Sequence, residues 1–228
     1  FFLFVLLLYP IHVFGEKDAI PFFNSLSNKR LKIDLKNQQL LEENTANNWK
    51  IISALTFENI DPNVILPVYK FNVFSNKQGH WITIPGTGQV YLLNNNLSNF
   101  KRIDHSFHTG YNFQAVQFMR QDTLYSFGGY GFWQYHNILT YFDTNSFEWE
   151  TYTQLEDGPQ RFTNRFSCYS VKSDKVYALE LPKPYLFTKT RKYIYWEFNF
   201  KSKSWKPIGQ INSRLALILP ESKLAGPY

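Results

Sequence analysis

From residue 71 to 207 the apolar positions come in short alternating runs, each closed by a polar turn. "VQFMRQDTLYSFGG" (Val116 to Gly129) reads as a strand, a tight polar turn at Arg120 to Asp122, a second strand and a Gly pair. "CYSVKSDKVYALEL" (Cys168 to Leu181) repeats it, with Lys172 to Asp174 as the turn and Leu181 where a Gly is expected. "FNVFSNKQGHWITIPG" (Phe71 to Gly86) is a third version, its Pro85-Gly86 standing against Gly128-Gly129. A two-residue period bounded by turn residues predicts β-hairpins. A Gly at that point lets the backbone leave the sheet or pack closely on a neighbour.

The downstream halves recur as well. Asn94 and Phe100, Asp143 and Trp149, and Asn199 and Trp205 are each six positions apart. In each case an aromatic-rich strand meets an Asp or Asn, a polar turn follows, and an aromatic opens the next strand. The Asx side chain can hydrogen-bond backbone two residues on and so nucleates the turn. Copies lie about 50 residues apart, the length of a four-stranded propeller blade. Asp34 and Leu40 in "KRLKIDLKNQQLLEE" show the same spacing without an evident upstream half, so residues 16–70 are expected to supply at most part of a blade. Trp149 and Trp205 are expected to lie buried against their own blades.

Composition sharpens this without changing it. Aromatics make up 19% of the 228 residues, and such side chains suit pleated, half-buried surface. The net charge is +6, but the Lys and Arg are scattered, with no basic run of the kind that grips nucleic acid. The single Cys168 excludes an intrachain disulfide and, beside Tyr169 in a strand-like run, reads as a small buried hydrophobe.

The chain opens with "FFLFVLLLYPIHVFG", an apolar run of signal-peptide length without Met or a positive start. Residues 1–15 read as a signal peptide truncated at its start and cut before Glu16; a buried first strand and an uncleaved membrane anchor are the alternatives. The expected location is therefore exported: periplasmic, cell-surface or secreted.

Gly128, Gly129, a Tyr at 130 or 135, and Trp149 together resemble the kelch repeat, and the chain is also similar to exported bacterial proteins of galactose-oxidase-like type. The resemblance covers residues 71–207, about three blades, and implies an all-β propeller of four-stranded kelch-like blades, incomplete in this chain. Residues 208–228 would begin a further blade or end the chain, which reads as a fragment of a longer protein. Galactose oxidase holds copper through two Tyr and two His, one Tyr cross-linked to a Cys; no Tyr here matches by motif, so those ligands are not carried over. No cofactor or metal is expected, and no Ser-His-Asp order, paired carboxylates or phosphate-cradling loop appears.

In a meander blade the 2–3 and 4–1 connections share one end and the short hairpin turns the other. "YGFWQYH" is a 2–3 loop; "DHSFHTGYN" and "LEDGPQRFTNR" are 4–1 loops; "LPKPYLFTKTRK" is another 2–3 loop. Trp133, Tyr135, His136, His105, His108, Arg161 and Arg165 are therefore expected on one face, with Trp133 exposed. Loops on a rigid scaffold are where binding groups usually sit. The expected function is an exported module that binds a protein or a glycan through this face. A carbohydrate-active propeller enzyme, copper oxidase or sugar epimerase, is the alternative, as is the extracellular sensor part of a signalling protein.

Overall fold

The computed structural model describes residues 19–24, 27–45, 48–60, 71–106, 112–131, 133–153, 158–161, 167–180 and 192–212. Among these there is no helix. Four sheets follow one another along the chain. The first holds β1 (Ala19–Asn24), β2 (Lys29–Asp34), β3 (Gln39–Thr45) and β4 (Asn48–Ala54). The second is formed by β6 (Asn72–Asn76), β7 (Gly79–Thr83), β8 (Val90–Asn94) and β9 (Asn99–Arg102), with β5 (Thr56–Glu58) added outside β9. β10 (Val116–Arg120), β11 (Thr123–Gly131), β12 (Gln134–Asp143) and β13 (Glu148–Thr153) make the third. The fourth comprises β14 (Cys168–Ser170), β15 (Lys175–Glu180), β16 (Lys192–Asn199) and β17 (Ser204–Asn212). β1–β4, β6–β9, β10–β13 and β14–β17 are each an antiparallel up-and-down meander of the kind that forms a propeller blade, β5 joins β9 in parallel, and the described residues are all-β.

The expected hairpin is present: β10 pairs with β11 from Val116↔Phe127 to Arg120↔Thr123. Gln121 and Asp122 in its turn both have positive φ, 47° and 63°, as a two-residue turn matched to strand twist requires. Asx side chains hold these turns too. Asp143 Oδ1 accepts the Asn145 N–H at 2.9 Å and Asn199 Oδ1 that of Lys201 at 2.8 Å, each two residues on, whereas Asn94 Oδ1 accepts that of Ser98, four residues on, at 3.0 Å. Their partners sit directly across the hairpin: Phe142↔Trp149, Phe198↔Trp205 and Leu93↔Phe100.

The sheets stack face to face in chain order. Ile20, Phe22, Leu31, Ile33 and Leu40 share a core with Ile82, Ile84, Tyr91, Leu93 and Phe100, joining the first sheet to the second. Trp81 and Val90 meet Leu124 and Phe142, joining the second to the third. Val116, Phe118, Tyr125, Phe127 and Leu139 meet Val176, Ala178, Phe198 and Trp205, joining the third to the fourth. Charged turns tie the stack at its hairpin end. Arg120 grips Asp174 through Nε–Oδ1 at 2.6 Å and Nη2–Oδ2 at 2.8 Å, and Lys77 reaches Asp122 at 3.0 Å. The far face of the first sheet is different, with Arg30 paired to Glu43 at 2.8 Å and Lys32 lying 4.6 Å from the Trp49 ring centre.

Four expectations are corrected. Residues 19–54 form a full four-stranded meander, not part of a blade. In the order β1-β2-β3-β4, Asp34 and Leu40 belong to the second hairpin of that sheet (Ile33↔Leu40), whereas the other copies of the motif lie in the third hairpin of theirs. Gly128-Gly129 does not end β11. Gly128, at φ 68°, lies opposite a bulge in β12, where Asn137 and Ile138 together face it, and β11 continues to Gly131. Finally, Trp205 is buried as expected, but Trp149 is only half-buried.

Candidate functional site

The bulge sends β11 and β12 beyond the body of the third sheet as a long hairpin. Its last pairs are Gly129↔His136, Tyr130↔Tyr135 and Gly131↔Gln134. What read as a loop from Tyr130 to His136 is therefore mainly paired strand, a stiffer support than a loop. Trp133 occupies the bend with φ 65°, and its side chain is 92% exposed. A Trp indole left in water at the end of a rigid hairpin gives up burial that its area would otherwise provide.

A third segment widens the hairpin. Phe113 and Tyr130 exchange both backbone hydrogen bonds, Phe113 N–H to Tyr130 O at 3.0 Å and Tyr130 N–H to Phe113 O at 2.7 Å. Phe113, Tyr130 and Tyr135 are thus successive cross-strand neighbours, which places their side chains on one face. The Tyr130 and Tyr135 ring centres are 5.1 Å apart, and the Arg161 guanidinium lies 4.9 Å from the Tyr135 ring centre. Phe113 is 44% exposed and Tyr130 36%. His136 Nε2 lies 3.2 Å from the Gly131 carbonyl oxygen, which accepts its N–H in the Nε2-protonated tautomer.

Two glycines let these segments meet. A Cβ on Gly86 (φ 92°) would stand 2.2 Å from the Phe113 ring, and one on Gly129 (φ 106°) would stand 2.9 Å from the Asn112 backbone. Buried Asn112 completes the joint by accepting the Gly86 N–H through Oδ1 at 3.0 Å. Close backbone approach, one of the two roles expected of this Gly pair, is the one Gly129 fills.

Trp133, Tyr135, His136 and Arg161 are accordingly brought to one end of the third sheet. His105 is not. Its N–H bonds the Phe147 carbonyl at 3.0 Å and its ring meets Phe147 at 5.6 Å, in the turn after Asp143. That turn is at the opposite end of the ten-residue β12 from Trp133, roughly 30 Å along the strand. The displacement has a structural cause: the chain leaving the fourth strand of a meander crosses to the third hairpin of the next. Thr56 does the same, donating to Ser98 O at 2.8 Å. His108 and Arg165 lie outside the described residues.

Phe113, Tyr130, Asn112 and Gly86 were not singled out as site residues. The loop as read from sequence stopped at Asn112, one residue before Phe113; an aromatic flanked by polar residues in a turn-rich segment was the available signal.

Elsewhere, a 260 Å³ cleft between the second and third sheets is lined by Lys77, Trp81, Asp122, Asp143 and Thr144, at the hairpin-turn end. Cys168 is half-buried across from Tyr177, and burial pushes its thiol pKa up, away from reactivity. Burial likewise lowers the pKa of His80, which shares a hydrogen bond with Ser75 at 2.8 Å and packs on Phe22. Among the described residues no group of three or more His, Cys, Asp or Glu is placed to hold a metal ion. No protein-family model matches this chain, and no curated protein matches it.

Proposed function

We propose that the chain is a recognition module of the kelch-propeller kind, binding a protein or glycan through the β11–β12 end of its third blade, opposite the Arg120–Asp174 turns. The observation that carries this is the aromatic strip Phe113–Tyr130–Tyr135 with Trp133 at its tip, exposed on a support stiffened by cross-strand pairing. Aromatic side chains supply large contact area at low entropic cost, and with Arg they are the usual anchors of recognition surfaces. Gly128, Gly129 and Trp149 support the kelch assignment, and the apolar run from Phe1 to Tyr9 supports export. The test is a Trp133→Ala/Arg161→Ala double variant, applied to a partner found by glycan array or pull-down. Binding should vanish while the melting temperature moves little; unchanged affinity in the folded double variant would remove the site from this face.

A further inference from the structure

We infer that β4 is a docking edge, and that a second copy of this chain occupies it by pairing β4 with β4, antiparallel, across a two-fold axis. This is independent of what the third blade binds. In the order β1-β2-β3-β4, β4 ends its sheet, and among the described residues no strand pairs its far side. An end strand carries a row of unpaired N–H and C=O groups, a template for another chain. Of Asn48–Ala54, all but Trp49 and Ser53 are exposed. Ile51 and Ile52 are 54% and 39% exposed, and no other two consecutive large apolar side chains among the described residues are both exposed.

The fourth strands of the other meanders are protected in ways that β4 is not. β9 is covered by β5, which runs parallel to it from Thr56↔Asn99 to Glu58↔Lys101. β13 carries Glu148 and Glu150, and β17 carries Lys206 beside Pro207, which has no N–H to offer. Charges and Pro are the devices that keep strand edges from pairing. β4 carries a single charge, Lys50, whose cross-strand neighbour within the sheet is Glu42.

The strand also fits its own copy. Its seven residues overlap fully when Ile51, the midpoint of Asn48–Ala54, meets the partner's Ile51. That register sets Lys50 against the partner's Ile52, Trp49 against the partner's Ser53 and Asn48 against the partner's Ala54. No like charges then face each other, which would oppose pairing, and the Lys50 stem lies over an isoleucine. Because Leu41 is the neighbour of Ile51 within the chain, the two-fold draws both pairs into one apolar row across the junction. Two four-stranded sheets become one of eight, inside the usual range of sheet sizes. The contact is a single strand pair, so it belongs with small, transient interfaces and self-association at micromolar concentration rather than with obligate dimers.

Sedimentation velocity on the full chain, from about 1 to about 300 µM, reads the association. A monomer–dimer equilibrium is expected. Ile51→Lys sets like charges opposite each other at the two-fold and should weaken the dimer by roughly tenfold or more. Ile208→Lys, at an exposed position on β17, should leave it unchanged. Both side chains are exposed, so circular dichroism should show the fold intact in each variant. In a Cys168→Ser background, Ile51→Cys should form a disulfide between copies under mild oxidation. Directly opposite residues of antiparallel strands have Cα atoms about 4.5–5.5 Å apart, within disulfide reach. Asn48→Cys, whose counterpart would lie about 20 Å along the strand, should not cross-link. A monomer at every concentration, a dimer that Ile51→Lys leaves intact, or cross-linking through Asn48→Cys but not through Ile51→Cys would overturn the inference.

Discussion

Trp205 and Trp149 occupy matching places in successive sheets, yet they should respond in opposite ways to the same change. Trp205 is 8% exposed, with its ring 4.8 Å from Phe127 and 5.2 Å from Phe198. Gly158 backs it so closely that a Cβ there would stand 2.6 Å from the indole. Its Nε1 is buried with no hydrogen-bond partner among the described residues. Truncation to Ala removes about 200 Å² of buried ring at about 25 cal/mol per Å², so the loss is about 3–5 kcal/mol. Trp205→Phe keeps much of that contact and deletes an unsatisfied N–H whose burial costs about 1–3 kcal/mol, so it should fall within about 1 kcal/mol of wild type. Trp149 is half-buried and its Nε1–H donates to the Gly88 carbonyl at 2.8 Å. Trp149→Phe therefore forfeits a bond and strands a buried carbonyl, for about 1–2 kcal/mol. Urea melts followed by circular dichroism give the order directly. A Trp205→Phe variant as unstable as Trp205→Ala, or more unstable than Trp149→Phe, would refute the reasoning.

Other substitutions test other joints. The Arg120 hydrogen bond holds the Asp174 carboxyl below its ordinary pKa. Its stabilisation is therefore complete above pH ~4 and fades as pH falls through the depressed value. With Asp174 nearly half exposed this is about 1 kcal/mol or less; Asp174→Asn should flatten that part of the acid limb of the stability profile, and an unchanged limb would count against the clasp. Gly129→Ala should destabilise by more than about 1 kcal/mol, since it combines a φ of 106° with a Cβ 2.9 Å from Asn112; a neutral result in a thermal melt would mean the joint is looser than described. Alkylation of Cys168 at pH 8 should be slow in the native protein and fast in urea, because the thiol is half-buried with a raised pKa. Trp133→Ala, at the exposed bend, should change stability by less than about 0.5 kcal/mol.

The sequence made visible what is decided locally. The Arg120–Thr123 hairpin and the Asx turns at Asn94, Asp143 and Asn199 depend on a few consecutive residues, and their polar turns between alternating strands announced them. What depends on distant partners was not legible. The Asp34 turn is chemically like the others, and only packing against the second sheet shows that it joins a different pair of strands. Gly128-Gly129 resembles a strand end because a positive-φ Gly serves a terminus and a bulged pair alike; the pairing of Phe127 with Leu139 and of Gly129 with His136 shows that the extra residue lies across the hairpin in β12. His105 was assigned to the loop face because strand order alone does not reveal that the crossing chain runs to Phe147. Phe113 joins the aromatic strip only through its pairing with Tyr130, seventeen residues on.

The central claim is that consecutive four-stranded sheets stack face to face in chain order, carrying the aromatic strip at one end of the third. Three ring pairs each bridge one successive pair of sheets: Phe22–His80 at 5.0 Å, Trp81–Phe142 at 6.1 Å and Phe127–Trp205 at 4.8 Å. Proton–proton nuclear Overhauser spectroscopy on a chain with selectively labelled aromatics reads all three at once. The stack predicts cross-peaks for all three pairs. Absence of the Trp81–Phe142 peak alongside cross-peaks between Phe22 and Trp205, as a sandwich of the first sheet on the fourth would give, would contradict it.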